Sequence, residues 1–335
     1  MTRLLRSPLL AVAAALTLGA AAPAQGVGSR APSFESAGWL NHIGERPTIQ
    51  NLRGRTVLLH FWRSTEPAAG ANWRLLKKFH HEYADKGLVV LLLTDEGRGD
   101  VEGTITQQAL PFPCAVGTDA RERYGVGANF HQVLIDPRGE IFWSGTTNGL
   151  WNGKLLKALK GAQRLGERGP IALHLEPATA SRLKKVVTDA AKGDLAKASR
   201  KALAIAEDER VSAEERAEAS DIADRLAAHT DDLMAQVEDH LARREMLPPR
   251  EVLELIAKQF KGAPLGERAA TRLKELIEDE LLSMEVAAAE LFERNRKLLW
   301  TRGPSKTLSR FQDLIERYPN SRAAEKARRV VALDF

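Results

Sequence analysis

The chain has 335 residues, enough for two domains, with 44% hydrophobic and 28% charged residues, a balance that excludes a disordered polymer. Its 49 Lys+Arg and 44 Asp+Glu are interleaved, and no dense basic tract carries aromatic residues, which argues against nucleic-acid binding. A single cysteine, Cys114, excludes an internal disulfide, CxxC exchange, cysteine-rich zinc sites and iron–sulfur ligation within one chain.

In chain order, the first segment reads as a leader. "MTRLLR" carries Arg3 and Arg6, "LLAVAAALTLGA" is apolar, and "AAPAQ" supplies a small-x-small end at Ala22 and Ala24. Those are the three parts of a secretory signal peptide, spanning residues 1–24 with cleavage after Ala24. The apolar run falls short of the ~20 residues that span a bilayer, so no stable membrane span is expected once it is removed. Its loss lowers the net charge from +5 to +3. The expected location is outside the cytoplasm, periplasmic or extracellular, where disulfides persist and where this chain has no second thiol to make one.

"VGSRAPSFESAGWLN" reads as an extended lead-in. "TVLLHFW" is aliphatic, β-branched and bounded by "RGR", a buried strand. The next segment is helical, with Trp73, Leu76, Phe79 and Tyr83 at spacings of three and four and Gly87 as the stop. "LVVLLLTDE" is a second apolar run, suited to a parallel strand covered on both faces. Residues 98–110 read as a weaker helix, "PFPCAVGTD" as a short strand, and "ARERYGVG" as a turn of helix. "QVLID" and "EIFWSG" flank "DPRG", a hairpin signal, and "LWNGKLLKALKGAQRLG" closes with an amphipathic helix. This βαβαβ–hairpin–helix order predicts an α/β thioredoxin-like fold, a mixed sheet flanked by helices, over residues 27–168.

From residue 172 to 335 strand signals vanish and Ala, Glu, Arg, Leu and Lys dominate, which predicts an all-α helical bundle or repeat domain. A helical hairpin broken near Gly193 precedes one or two helices over residues 212–246, with Ile222, Leu226, Leu233, Val237 and Leu241 as the apolar stripe. Ser212 with Glu215 forms a capping-box pattern, and Pro248 and Pro249 mark the next boundary. Residues 253–276 align without gaps on 311–334 at an offset of 58, placing Phe260 over Tyr318, Ala263 over Ser321 and Ala269 over Ala327. "YPNSRAAEKA" resembles the turn of tetratricopeptide-like repeats; an irregular bundle is the alternative.

Residues 27 to about 165 resemble the exported redoxin/TlpA-type thioredoxin-like family (AhpC/TSA-like). "VGSRAPSF", "LRGRTVLLHFW" and "YGVGANFHQVLIDPRGEIFW" are similar to its opening, its central strand and its hairpin segment, in order. The resemblance implies a dithiol site at the turn after the central strand, and this sequence departs from it there. Glu66 stands at the nucleophilic cysteine position, Ala69 at the resolving one, and only Pro67 survives inside the motif. Phe130 occupies the family's cis-proline position, where a cis bond would cost ~2.5–4 kcal/mol, so a trans bond is expected. Dithiol exchange needs a thiolate and a second thiol, and a carboxylate cannot replace either.

Three functions follow as expectations. The first is a non-catalytic binding or assembly module for a peptide or protein partner, with Glu66, Asn129, Phe130 and His131 as the groove. The second is a redoxin-type oxidoreductase or peroxidase working through Cys114 or a partner's thiol; Cys114 lies at the start of an internal strand, where a buried, inert cysteine is the ordinary outcome. The third is metal-assisted or acid/base chemistry at Glu66 and His131, against the ordinary alternative of a capping glutamate and a surface histidine. Neither a resident metal nor a cofactor is expected. His80 and His81 are adjacent on a helix and cannot converge on one ion; they read as rim and solvent positions. Trp62, Trp73, Phe79, Phe142 and Trp143 read as core.

Overall fold

A computed structural model of the protein describes residues 26–65, 69–127, 131–146, 150, 152–162 and 170–332. The N-terminal part is built on β2 (Thr56–Phe61), whose six residues are all buried. Its pattern is continuous rather than alternating because helices and loops cover both faces of the sheet. β3 (Leu88–Leu93) lies parallel to β2, and β4 (Cys114–Val116) lies parallel to β3. On the other side, β5 (His131–Ile135) pairs antiparallel with β2, and β6 (Ile141–Thr146) antiparallel with β5. The mixed, thioredoxin-like sheet expected from the element order is therefore present. The extended lead-in departs from expectation: Gly38–Leu40 forms β1, which pairs antiparallel with β4 and closes a six-stranded sheet of order β1-β4-β3-β2-β5-β6. Three residues are too few to show a period-2 pattern, so only the partner strand makes that strand visible.

Helix α1 (Ala69–Tyr83) lays Trp73, Leu76, Phe79 and Tyr83 on the sheet, all at 7% exposure or less. A single 3₁₀ turn follows, and Gly87 ends it at φ 96°, the left-handed conformation glycine adopts without a Cβ penalty. α2 (Arg98–Gln107), the single turn α3 (Ala120–Arg123) and α4 (Asn152–Ala158) complete this part. The closing helix is shorter than its sequence pattern. Trp62, Trp73 and Phe79 are fully buried, whereas Phe142 and Trp143 are half-buried on the outer strand β6.

The C-terminal part is helical among the described residues. α5 (Lys184–Lys192) and α6 (Leu195–Ala206) meet at Gly193, again left-handed at φ 85°. α7 is one continuous helix, Ala213–Ala242, and the Ser212 hydroxyl accepts from Glu215 N at its start. Ile222, Leu226, Leu233, Val237 and Leu241 are all buried. α8 (Leu247–Gln259) with α9 (Pro264–Glu278), then α10 (Glu280–Arg302), precede α11 (Leu308–Arg317) with α12 (Arg322–Val331).

The 58-residue offset aligns structurally equivalent positions. Phe260 and Tyr318 end α8 and α11; Ala263 and Ser321 precede α9 and α12; Ala269 and Ala327 are completely buried. The two turns differ in chemistry. Ser321 Oγ accepts from Ala324 N at 3.0 Å, while Ala263 has no side chain to cap with and holds an extended backbone. Ala263→Ser is therefore expected to stabilise the protein by roughly 0.5–1 kcal/mol through the missing N-cap, read as a raised urea midpoint.

The two parts are docked. Gly44 N donates to Gln236 Oε1 (2.8 Å) and Gln236 Nε2 donates back to Gly44 O (3.1 Å). His240 Nε2 donates to His42 O, His174 N to Glu45, and Arg322 to Glu102. Ala109, just past α2, sits in one hydrophobic cluster with Phe292, Phe311, Leu314 and Ala327 of the helical part.

Candidate functional site

In open sheets with parallel strands, ligand sites lie beyond the carboxyl ends of those strands. Here that edge carries Arg63 and Ser64 after β2, Thr94, Asp95 and Glu96 after β3, and the start of β5. The loops are tied by ionic hydrogen bonds. Arg63 donates through two nitrogens to Asp95, one at 2.9 Å, and Arg121 Nε lies 3.8 Å from the same carboxylate. The Arg63 hydrogen bond holds the Asp95 carboxyl below its ordinary range, with the nearby Arg121 charge adding to the effect. Glu96 accepts from Ser64 N (2.6 Å), Ser64 Oγ (2.7 Å) and Thr94 Oγ1 (3.2 Å). The turn leaving β2 is thus clamped to the turn leaving β3 by two carboxylates. Sequence reasoning missed this clamp; the only sign was that "TDE" closes an apolar strand, and nothing in the sequence pairs it with Arg63.

His131 opens β5. Its Nε2 lies 2.6 Å from Ser144 Oγ on β6, and its ring stands edge-on to Phe61, 6.5 Å between centroids. Burial, then the Arg121 charge, lowers its pKa from the ordinary histidine value, so the ring is neutral near pH 7. Ala69 is the first residue of α1. Glu66, Pro67, Asn129 and Phe130 lie outside the described residues, and with them the expected Glu66–His131 pair and the Phe130 peptide bond. Among the described residues no group of three or more His, Cys, Asp or Glu is arranged to hold a metal ion.

Cys114 is on β4, opposite Leu92 of β3 and Leu40 of β1, and is completely buried. It lies in the cluster that also holds Trp62, Trp73 and Phe112. Burial pushes its thiol up to about 12, so the thiolate is negligible at neutral pH.

Beneath the site the same face carries a buried polar pair. His60 of β2 and Gln132 of β5 are register partners, both at 0% exposure. Gln132 Nε2 donates to His60 Nδ1 at 3.1 Å, and His60 Nε2 has no hydrogen-bond partner among the described residues. Trp73 stacks edge-on against the imidazole at 5.1 Å. Burial, aided by the Arg121 charge, drives His60 down to about 3. His81 is exposed as expected. His80 is half-buried, a rim position, edge-on to Phe112 and with Arg296 of α10 near that face of α1.

Residues 27–144 match the model of the AhpC/TSA family. Over 101 residues the chain is 26% identical to the thiol-disulfide oxidoreductase ResA of Halalkalibacterium halodurans, covering 29% of this chain and 57% of that protein. The match thus spans little more than half of the curated relative. Among solved structures, a thioredoxin-like superfamily protein is 20% identical, with 42% of this chain and 99% of the other covered and a TM-score of 0.35. The thioredoxin domain of a thiol-disulfide oxidoreductase from Bacteroides vulgatus is 21% identical, with 40% and 96% covered and a TM-score of 0.34. No described helix is long and apolar enough to cross a membrane.

Proposed function

We propose, on the premise that the N-terminal part of this chain belongs to the redoxin/TlpA-type thioredoxin-like family, that this chain uses the family's scaffold as a non-catalytic binding module for a protein or peptide segment. The observation that carries the reading is the state of its one thiol. Cys114 is buried and protonated, and the positions where the family keeps its two cysteines hold Glu66 and Ala69. A dithiol exchange cycle has no nucleophile and no resolving group in such a chain. The positions expected to meet the partner segment are Glu66, Asn129, Phe130 and His131, of which His131 opens β5. The organisation that accompanies this reading is a leader over residues 1–24, a thioredoxin-like domain over 27–168 and a helical domain over 172–335. The tetratricopeptide-like pairs α8–α9 and α11–α12 would offer a second binding surface. The protein would act outside the cytoplasm, as the leader pattern at residues 1–24 implies.

The same similarity favours a second reading, a thiol-dependent oxidoreductase working through Cys114 or a partner's thiol. Alkylation of Cys114 as a function of pH separates the two. The binding module is expected to react with iodoacetamide only after unfolding, with Cys114→Ser leaving partner binding intact and Phe130→Ala weakening it. Rapid labelling of the folded protein with a midpoint well below ~8.5, the unperturbed cysteine value, would overturn it in favour of the oxidoreductase.

A further inference from the structure

Between the two parts of the chain lies a cavity of about 460 Å³, the size range of small-molecule sites. One wall is apolar: Leu40, Ile105 and Leu110 of the sheet part face Met246 and Phe292 of the helical part. The other wall is charged. Arg322 is held by Glu102 and Glu325, Arg244 by Glu285 and Glu325, and Arg296 by Glu293. Glu245 faces His240 at 2.8 Å and Arg243 at 3.4 Å; burial opposes its charge, but His240, Lys326 and Arg243 hold it down at about 2. Lys326 of α12 differs from these: its ammonium makes no hydrogen bond or ion pair among the described residues, although it lines the cavity. Burial lowers its pKa, with Arg322 and Arg296 adding to the shift and Glu245 and Glu293 opposing it.

Among the described residues only three non-glycine residues have positive φ, Asn41 (54°), Ala109 (48°) and Arg244 (58°), and all three line this cavity. Ala109 and Arg244 take it as the residues that end α2 and α7, where Leu110 N donates to Ile105 O (3.0 Å) and Glu245 N to His240 O (2.9 Å), so the cavity opens between two helix ends.

We propose that this cavity binds a small organic carboxylate with an apolar body, its carboxylate on the Lys326 ammonium and its hydrocarbon against Ile105, Leu110 and Phe292. An anion supplies the direct hydrogen-bond acceptor that Lys326 lacks among the described residues, since Glu245 and Glu293 act on it only from beyond ion-pair distance, and the apolar wall rewards a hydrocarbon over an inorganic ion. The site is separate from the β2–α1 edge, so it stands whether or not that edge binds a partner. Because the bound anion favours the charged amine, binding takes up a proton and weakens as pH rises through the depressed Lys326 pKa.

The test is calorimetric titration of the full chain with octanoate, with inorganic phosphate alongside, at several pH values and in two buffers of different ionisation enthalpy. Saturable octanoate binding is expected, with proton uptake that grows with pH and no comparable phosphate binding. Lys326→Met should weaken it at least tenfold. Ala289→Phe, which fills the cavity and leaves Lys326 in place, should do the same while the thermal midpoint confirms folding. Equal binding of phosphate would overturn the apolar-body assignment. Failure of octanoate to saturate, or undiminished binding by folded Lys326→Met, would overturn the site.

Discussion

Between pH 6.5 and about 3, the folded protein is expected to lose roughly 5 kcal/mol of stability through His60 alone. The imidazole is completely buried between β2, β5 and α1, with Gln132 and Trp73 against it and no counter-charge. In the unfolded chain it titrates at its ordinary 6.5; in the fold it stays neutral until about 3. The unfolded state therefore binds the extra proton throughout that window. Stability due to this group is complete above pH 6.5 and falls by ~1.4 kcal/mol per pH unit as the solution is acidified. His42, His80, His131 and His229 shift in the same direction, so the contribution of His60 is isolated by difference. His60→Gln keeps a polar partner for Gln132 and removes the titration. Urea unfolding at pH 7, 6 and 5 should show the two proteins converging by about 2 kcal/mol as pH falls, from the slope just given. Parallel pH profiles would mean that His60 is protonated or hydrated in the fold.

Gly44→Ala is the second large effect, expected to cost roughly 2–4 kcal/mol. Gly44 has φ 115°, a region L-residues rarely adopt, and a Cβ added there would stand 2.3 Å from Pro170 O. That oxygen is backbone, so it cannot swing away; either the chain at 170 or the loop at 44 must move. The same glycine makes the reciprocal amide contact with Gln236 of α7. Displacing it breaks two hydrogen bonds of the junction as well as straining the loop. Gln236→Ala alone removes those two bonds and should cost about 1–2 kcal/mol. In Gly44→Ala the second substitution should add less than this, because the contact is already lost. Full additivity in the urea-unfolding cycle would show that the strain and the contact are independent.

How far the residues alone could be read varies with the range of the forces involved. The apolar runs at 56–62 and 88–93 and the 3-and-4 spacing from Trp73 to Tyr83 are local patterns with one structural solution, and they were legible. The single helix α7 was less so: a polar stretch of 30 residues carries no internal stop, and continuity is decided by α6 and α8 packing along it. Strand β1 was not legible, since three residues become a strand only when β4 presents an edge to them. The candidate site divides in the same way. That this scaffold lacks a cysteine pair is a fact of the sequence, and it rules out internal dithiol exchange by chemistry alone. That the remaining thiol is shielded, that Arg63 and Glu96 clamp the loop above it, and that Asp95 is held ionised are facts of burial and approach across 30 or more residues. The cavity at Lys326 lies further still from local reading. Its walls come from α2, the α7–α8 turn, α10 and α12, and its Lys326 ammonium is left without a hydrogen bond among the described residues because docking gathers Arg244, Arg296 and Arg322 onto the nearby carboxylates. Covalent composition and short-range periodicity thus determined the scaffold and the absence of a second thiol; solvent exclusion and long-range charge pairing, which depend on three-dimensional packing, decided that Cys114 is shielded and where the cavity at Lys326 opens.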